Sequence, residues 1–145
     1  MDLEAVRRAL AERAPVRLRE PKARLAAVAL VLVPGREGLQ GLFIRRARHP
    51  KDPWSGQIGL PGGRRDAADR SLFDTAVRET AEETGVALRQ AYLLGELDDL
   101  HPRSTTLPDI VVRPFVFSLT RRPALVTSAE VAYPLWLTLK RLRDG

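Results

Sequence analysis

The sequence predicts an α/β fold, a mixed β-sheet with helices on its faces, and three observations carry that expectation. Predicted strands outnumber predicted helices, and the two kinds alternate irregularly. The segment Leu25 to Val33 is β-branched and almost continuously apolar, as a strand buried on both faces must be. Two stretches, one at the N-terminus and one ending at Thr84, carry the 3.6-residue apolar period of helices that pack by a single stripe.

Taken in order, Asp2 to Arg13 reads as an amphipathic helix with Leu3, Val6, Leu10 and Ala11 on one face. Ala14 to Lys22 is a polar connector broken by prolines. Leu25 to Val33 is the buried strand, Pro34 to Gly38 a turn, and Leu39 to Arg46 the returning strand of a hairpin. His49 to Gly56 is a proline-rich loop, Ile58 to Leu60 a short strand, and Gly62 to Arg70 a loop into a Glu-rich helix. Ser71, with Asp74 three residues on, is a candidate N-cap for that helix, and Gly85 ends it as a C′ glycine. Ala91 to Leu97 and Ile110 to Leu119 read as strands separated by the loop Asp98 to Asp109. Glu130 to Leu137 is a late strand, and Thr138 to Arg143 begins a helix. There are no internal repeats or low-complexity tracts.

A chain of 145 residues is of single-domain length and long enough to bury a core without staples. It contains no cysteine, which excludes disulfides, zinc–thiolate centres and thiol nucleophiles. That absence favours a reducing compartment, and the N-terminal residues lack the apolar core of a signal peptide. A cytoplasmic location is therefore expected. The apolar run from Leu25 to Pro34 is too short to span a bilayer, so no membrane partner is expected. The net charge is +6, and of the 24 basic residues only Lys22, Lys51 and Lys140 are lysines. Arginine suits bidentate phosphate contacts, and a basic field attracts anionic ligands. The basic residues form no single run and are not interleaved with aromatics, so a nucleic-acid partner is not expected.

The most informative segment is the Glu-rich helix, Thr75-Ala76-Val77-Arg78-Glu79-Thr80-Ala81-Glu82-Glu83-Thr84-Gly85. With Glu79 at 0°, Glu82 falls near roughly 300° and Glu83 near roughly 40°, so the three carboxylates share an arc of about 100°. Phe73, Val77, Thr80, Ala81 and Thr84 fall opposite and are expected to face the core. Like charges at i,i+4 cost about 0.2–0.5 kcal/mol per pair on an exposed helix. Such a cluster is tolerable as a solvated face, and useful where a divalent cation sits in it. Hard Mg²⁺ takes carboxylate oxygens and commonly completes its shell with waters and phosphate oxygens.

The Pro-Gly-Gly turn before this helix, the arginine abutting its first glutamate and the terminal glycine together resemble the Nudix box, G-x5-E-x7-R-E-U-x-E-E-x-G-U with U apolar. Arg78, Glu79, Glu82, Glu83, Gly85 and Val86 match it position by position. Thr80 stands where an apolar residue is usual. Upstream, Asp69 takes the place of the first glutamate, and one extra residue separates it from Arg78. That spacing, with Leu60-Pro61-Gly62-Gly63, Asp66, Asp69 and Ala76, is similar to the coenzyme A pyrophosphatase branch of the family. Leu42 to Ala47 and Gly56 resemble that branch's upstream signature, with one extra residue between them and Leu60 in place of phenylalanine. The resemblance implies one Nudix domain over 1–145, an α/β/α sandwich with a mixed sheet. Relatives in the branch continue with a further strand and helix, so the chain is expected to be a minimal or shortened version.

The resemblance also implies roles. Glu79, Glu82 and Glu83, with the carbonyl of Gly63, would hold Mg²⁺ or Mn²⁺. Arg78 would orient a glutamate, and Asp69 would be structural, a cap at the loop-to-helix junction. The general base would be Glu82 or Glu79, with Glu96, Asp98, Asp99, Asp109 and Glu130 as alternatives. Arg45 and Arg46 end a strand aimed at the box, and alternation sends them to opposite faces, so at most one is expected to meet a phosphate. Trp54, His101 and Arg103 are further candidates for contact with a substrate, Trp54 by stacking on a base. The implied activity is metal-dependent hydrolysis of a phosphoanhydride in a nucleoside diphosphate linked to another group, with coenzyme A or a derivative as the branch-level substrate. ADP-ribose, dinucleotides and nucleoside triphosphates stand as alternatives, as does a Nudix-like module that binds a nucleotide without cutting it. The expected partner is a small nucleotide, and a homodimer is an open alternative for assembly.

Overall fold

β1 (Arg24–Gly35) is the axis of the sheet in the computed structural model, which describes residues 2–102 and 108–144. Its apolar side chains alternate between two cores, which is why the segment reads as continuously apolar. β6 (Ile110–Ser118) runs parallel beside it, in register from Arg24 opposite Ile110 to Leu32 opposite Ser118. β2 (Gly38–Arg46) returns antiparallel through Arg36 and Glu37, but it pairs with β1 only from Gly38 to Gly41. Beyond that point the two strands diverge. The gap is filled by β3 (Ile58–Gly59), which pairs with β2, and β4 (Gly62–Arg64), which pairs with β1 at Ala26, Ala27 and Val28. Between them the Pro61 carbonyl accepts from Ala29 N at 2.9 Å. β7 (Val131–Thr138) pairs along β2, and β5 (Leu93–Glu96) lies antiparallel outside β6.

Helices cover both faces, giving the expected mixed-sheet α/β arrangement. On one face α2 (Leu72–Thr84) packs Leu72 and Ala76 against Ala27, Ala29, Val31, Leu42 and Phe117. Phe73 meets the edge of the Phe115 ring, centroid to centroid at 5.8 Å, a favourable aromatic geometry. On the other face α1 (Leu3–Ala11) lays Leu3, Val6 and Leu10 against Leu32, Leu39 and Val116. The Asp2 side chain caps α1, accepting from Ala5 N at 2.8 Å. α3 (Leu139–Asp144) follows β7. Among the described residues no helix is long and apolar enough to cross a membrane.

Three expectations are corrected. The stretch from Gly62 begins as strand β4 rather than as loop, because two residues without side chains let the backbone lie directly against β1. A glycine pair does not announce a strand by propensity. The strand expected from Ala91 opens instead as a 3₁₀ turn over Gln90–Tyr92. On α2, Ala81 is exposed while Glu83 is buried, so the core-facing stripe is rotated from the one the helical projection gives.

Candidate active site

α2 is fixed at both ends by local chemistry. Ser71 Oγ accepts from Asp74 N at 3.3 Å, and Gly85 adopts φ 76° as its N–H reaches the Ala81 carbonyl at 2.9 Å. The three glutamates between these caps meet three different environments. The Glu82 side chain is 56% exposed, Glu79 17% and Glu83 only 2%. The Glu83 carboxylate lies against β4, where Gly62 N donates to Oε1 at 2.8 Å. Burial raises its pKa to about 7, helped by the negative charges of Glu79 and Glu130 and opposed by the Gly62 bond and the Arg46 cation. Burial also raises Glu79, against the pull of its hydrogen bond to Arg78.

The two glycines of β4 let its backbone approach its neighbours closely. A Cβ on Gly62 would lie 2.2 Å from the Ala27 carbonyl oxygen, and one on Gly63 2.5 Å from Cδ of Glu79. At Gly62 the obstacle is backbone, so no larger residue fits, whereas at Gly63 a side chain would have to displace the Glu79 carboxylate. The backbone therefore passes close against Glu79, as a site that uses both would need.

Arg78 ties the helix to the loop before it. Its Nε donates to Asp69 Oδ1 at 3.0 Å and its Nη2 to Oδ2 at 2.9 Å, a two-pronged pair. Its Nη1 reaches Glu79 at 3.0 Å and Glu82 at 3.2 Å, and Nη2 also donates to the Arg64 carbonyl at 3.2 Å. Asp69 is buried and further accepts from Thr75 Oγ1 at 2.8 Å and Asp66 N at 2.9 Å. The Arg78 bonds hold its carboxyl well below the usual carboxylate range. Asp66 closes a turn, accepting from Ala68 N at 2.9 Å.

A cavity of about 580 Å³ opens beside β4, with Glu79, Glu83 and Glu130 among its walls. That size is in the range of small-ligand sites. Of the residues singled out from sequence, Arg46, Trp54, Gly63, Glu79 and Glu83 line it, whereas Glu82 and Arg78 stand outside the lining. Arg45 points elsewhere, donating to the Tyr133 hydroxyl at 3.2 Å and lying over its ring at 5.9 Å. His101 is held by Asp109 at 2.6 Å and is not among the lining residues, although Pro102 next to it is. Arg103 lies outside the described residues.

Four of the five alternative acids have other work. Glu96 pairs with Arg17 at 3.1 Å, Asp98 pairs with Arg13, Asp99 takes both prongs of Arg113 at 2.9 and 3.0 Å, and Asp109 takes His101. Glu130 alone of the five lines the cavity. One residue the sequence reading passed over is Asp52. It accepts from Arg46 Nε at 2.8 Å and from Trp54 N at 3.0 Å. Its signal was the Asp-Pro-Trp spacing, in which an aspartate side chain closes on the amide two residues on.

The donor chemistry here is all oxygen, the kind that suits Mg²⁺ or Mn²⁺ rather than softer metals. Glu83 is a buried carboxylate whose nearest cation, Arg46 Nη1, is 3.8 Å away, and Glu79 is pressed against Gly63. Among the described residues no three acidic or imidazole side chains converge into a closed ligand set. The arrangement fits an open site, in which Glu79 and Glu83 would supply part of the shell.

Solved structures share this architecture. A MutT/nudix family protein from Enterococcus faecalis superposes with a TM-score of 0.68 at 22% identity, over 94% of this chain and 51% of that one. The NUDIX domain of Shewanella oneidensis NrtR, crystallised with ADP ribose, gives 0.67 at 25% identity over 87% and 82%. The fold and the site together define a Nudix-type domain. The NUDIX domain profile matches residues 22–144, and the chain belongs to that family. Among curated relatives, the Schizosaccharomyces pombe protein C14C4.10c is 39% identical over 106 residues, 70% of this chain and 32% of its own length. The Nudix hydrolase NudL of Yersinia pestis is 40% identical over 63 residues, 43% of this chain and 31% of its own. The chain thus spans about a third of the length of these relatives.

Proposed function

We propose that this domain is a pyrophosphohydrolase that uses a divalent ion, Mg²⁺ or Mn²⁺, to cut a phosphoanhydride in a nucleoside diphosphate linked to another group. One observation carries the reading: the buried Glu83 carboxylate beside Glu79 in the wall of a nucleotide-sized cavity, with Gly63 packed on Glu79. A divalent ion bound there neutralises phosphate charge and lowers the pKa of water. Glu79, Glu82 and Glu83, with the Gly63 carbonyl, form its protein ligands. Arg78 Nη1 donates to both Glu79 and Glu82, tying the two carboxylates to one guanidinium. Glu79 serves as the base that takes the water proton, since it lines the cavity and Arg78 holds its carboxylate by a 3.0 Å hydrogen bond. The water oxygen bonds one phosphorus, the bridging P–O bond breaks, and the bridging oxygen leaves on the second phosphate. Arg46 and Trp54 are the substrate contacts the cavity favours.

For the group carried on the diphosphate, the branch resemblance supports coenzyme A or a derivative, cut to phosphopantetheine and adenosine 3′,5′-bisphosphate. ADP-ribose is the second reading, favoured by the ADP ribose bound to the similar Shewanella domain. The test is a hydrolysis screen over coenzyme A, ADP-ribose, dinucleotides and nucleoside triphosphates with Mg²⁺ and Mn²⁺, products identified by mass. Turnover that requires added metal supports the reading. Tight nucleotide binding with no product on any of them would make the domain a binding module instead.

A further inference from the structure

Arg46 sits between two carboxylates that belong to different parts of the site. Its Nε holds Asp52, in the loop that carries Trp54, at 2.8 Å, while its Nη1 stands 3.8 Å from Glu83 on α2. The first is a hydrogen-bonded ion pair and the second is not. Asp52 spends its other oxygen on Trp54 N at 3.0 Å, and its own N–H reaches the His49 carbonyl at 3.1 Å. The same loop is closed by His49 N to Ser55 Oγ at 2.7 Å, and joined to β2 through Arg46 N to the Gln57 carbonyl at 2.9 Å. A single guanidinium therefore anchors the Trp54 loop and faces the buried glutamate. The side chains of Arg46 and Asp52 are 29% and 17% exposed, so neither is screened as a surface pair would be.

From this geometry we infer that Asp52 is a positioning residue: it draws the Arg46 guanidinium away from Glu83, keeping that carboxylate open to a divalent ion while seating Trp54 on the substrate side of the cavity. The inference rests on the reading of Glu83 as a metal ligand. Without Asp52, the nearest carboxylate left to Arg46 is Glu83, buried and strongly in need of a cation. The guanidinium then closes the 3.8 Å gap and competes with the metal for the same oxygens. The loop loses its side-chain tie to Arg46 in the same event, so metal affinity and the seating of Trp54 change together.

The experiment measures Mn²⁺ binding to the substrate-free protein by electron paramagnetic resonance, with nucleotide binding followed by tryptophan fluorescence. Asp52→Asn keeps the size of the side chain and its bond to Trp54 N, and removes the charge. It is expected to weaken Mn²⁺ binding at least fivefold and to weaken nucleotide binding, and Asp52→Glu is expected to recover most of both. The double variant Asp52→Asn with Arg46→Gln separates competition from mere disorder. It is expected to bind Mn²⁺ more tightly than Asp52→Asn alone, because the competitor is gone. A double variant as weak as the single, or Mn²⁺ binding unchanged in folded Asp52→Asn, overturns the inference. Glu83→Gln in the otherwise intact protein tests the underlying reading by itself. If Glu83→Gln abolishes Mn²⁺ binding and Asp52→Asn does not touch it, only the positioning role fails; if Glu83→Gln has no effect, the metal assignment fails.

Discussion

Arg78 grips Asp69 across nine residues of sequence with two parallel bonds, Nε to Oδ1 at 3.0 Å and Nη2 to Oδ2 at 2.9 Å. The same guanidinium extends to Glu79 and Glu82, so the aspartate that stands in for the first glutamate of the box fixes the arginine that holds both of these carboxylates. As a simple helix cap, Asp69 would be worth about 1 kcal/mol or less. Its burial and its four hydrogen bonds, from Arg78, Thr75 and Asp66, raise that. Asp69→Asn is expected to cost about 3 kcal/mol, the scale of a broken buried pair, as read from urea denaturation. A loss below 1 kcal/mol would restore the simple cap.

The helix itself was legible in sequence because its determinants are local: Ser71 and Gly85 cap it, and the i,i+3 and i,i+4 spacing of glutamates requires only helical geometry. What separates Glu83 from Glu82 was not legible. A projection puts both in one arc, and the distinction comes from β4, a strand made of two glycines and an arginine that folds back onto β1 and lies against Glu83 and Glu79 but not Glu82. The continuous apolarity of β1 disclosed a buried strand but not the divergence from β2 that makes room for β3 and β4. Asp52 escaped notice for a similar reason, since its partner Arg46 belongs to a strand and its effect is felt on a helix.

The unequal burial of the glutamates orders their replacements. Glu83→Gln is expected to lower turnover at least 100-fold, about 2.7 kcal/mol of barrier, with the fold kept. Glu82→Gln, at a carboxylate 56% exposed and outside the cavity wall, is expected to lower it less. Steady-state kinetics at saturating metal decide the point. A Glu82 defect larger than that of Glu83 would mean that the exposed carboxylate swings into the cavity when substrate binds.

The pKa of Glu83 has a consequence for stability. Its folded value, about 7, lies above the usual 4.5. Between those values the folded state holds more protons than the unfolded one, so this group's contribution to stability falls as pH rises through that window. In EDTA, lowering the pH from 8 to 5.5 is expected to narrow the Tm gap by which Glu83→Gln exceeds the parent by at least about 3 °C. A gap independent of pH would show that Glu83 is not raised by burial.

Thr80 occupies a position where the Nudix pattern has an apolar residue, and its hydroxyl Oγ1 is buried without a hydrogen-bond partner. Valine has the same shape without the oxygen. Thr80→Val should therefore remove an unmet polar group and stabilise the fold by about 1 kcal/mol, leaving turnover unchanged because Thr80 faces the core rather than the cavity. Destabilisation by thermal or urea unfolding would show that the hydroxyl has a role in the core.

The last prediction concerns the substrate. On the proposed reading, coenzyme A differs from ADP-ribose in carrying a 3′-phosphate, an extra dianion on the ribose. The cavity wall includes Lys51 and Arg64 as well as Arg46, in a chain of net charge +6. Because Arg46 is engaged by Asp52, the cations expected to meet that phosphate are Lys51 and Arg64, both exposed and so sensitive to screening. The domain is expected to hydrolyse coenzyme A at least as efficiently as ADP-ribose, with dephospho-coenzyme A the poorer substrate. That gap should widen at low ionic strength and narrow in Lys51→Gln, through KM rather than kcat, since the contact is remote from the bond that breaks. A clear preference for ADP-ribose, or equal kcat/KM for coenzyme A and its dephospho form at low salt, would remove coenzyme A as the substrate and leave the chemistry at Glu79 and Glu83 as it stands.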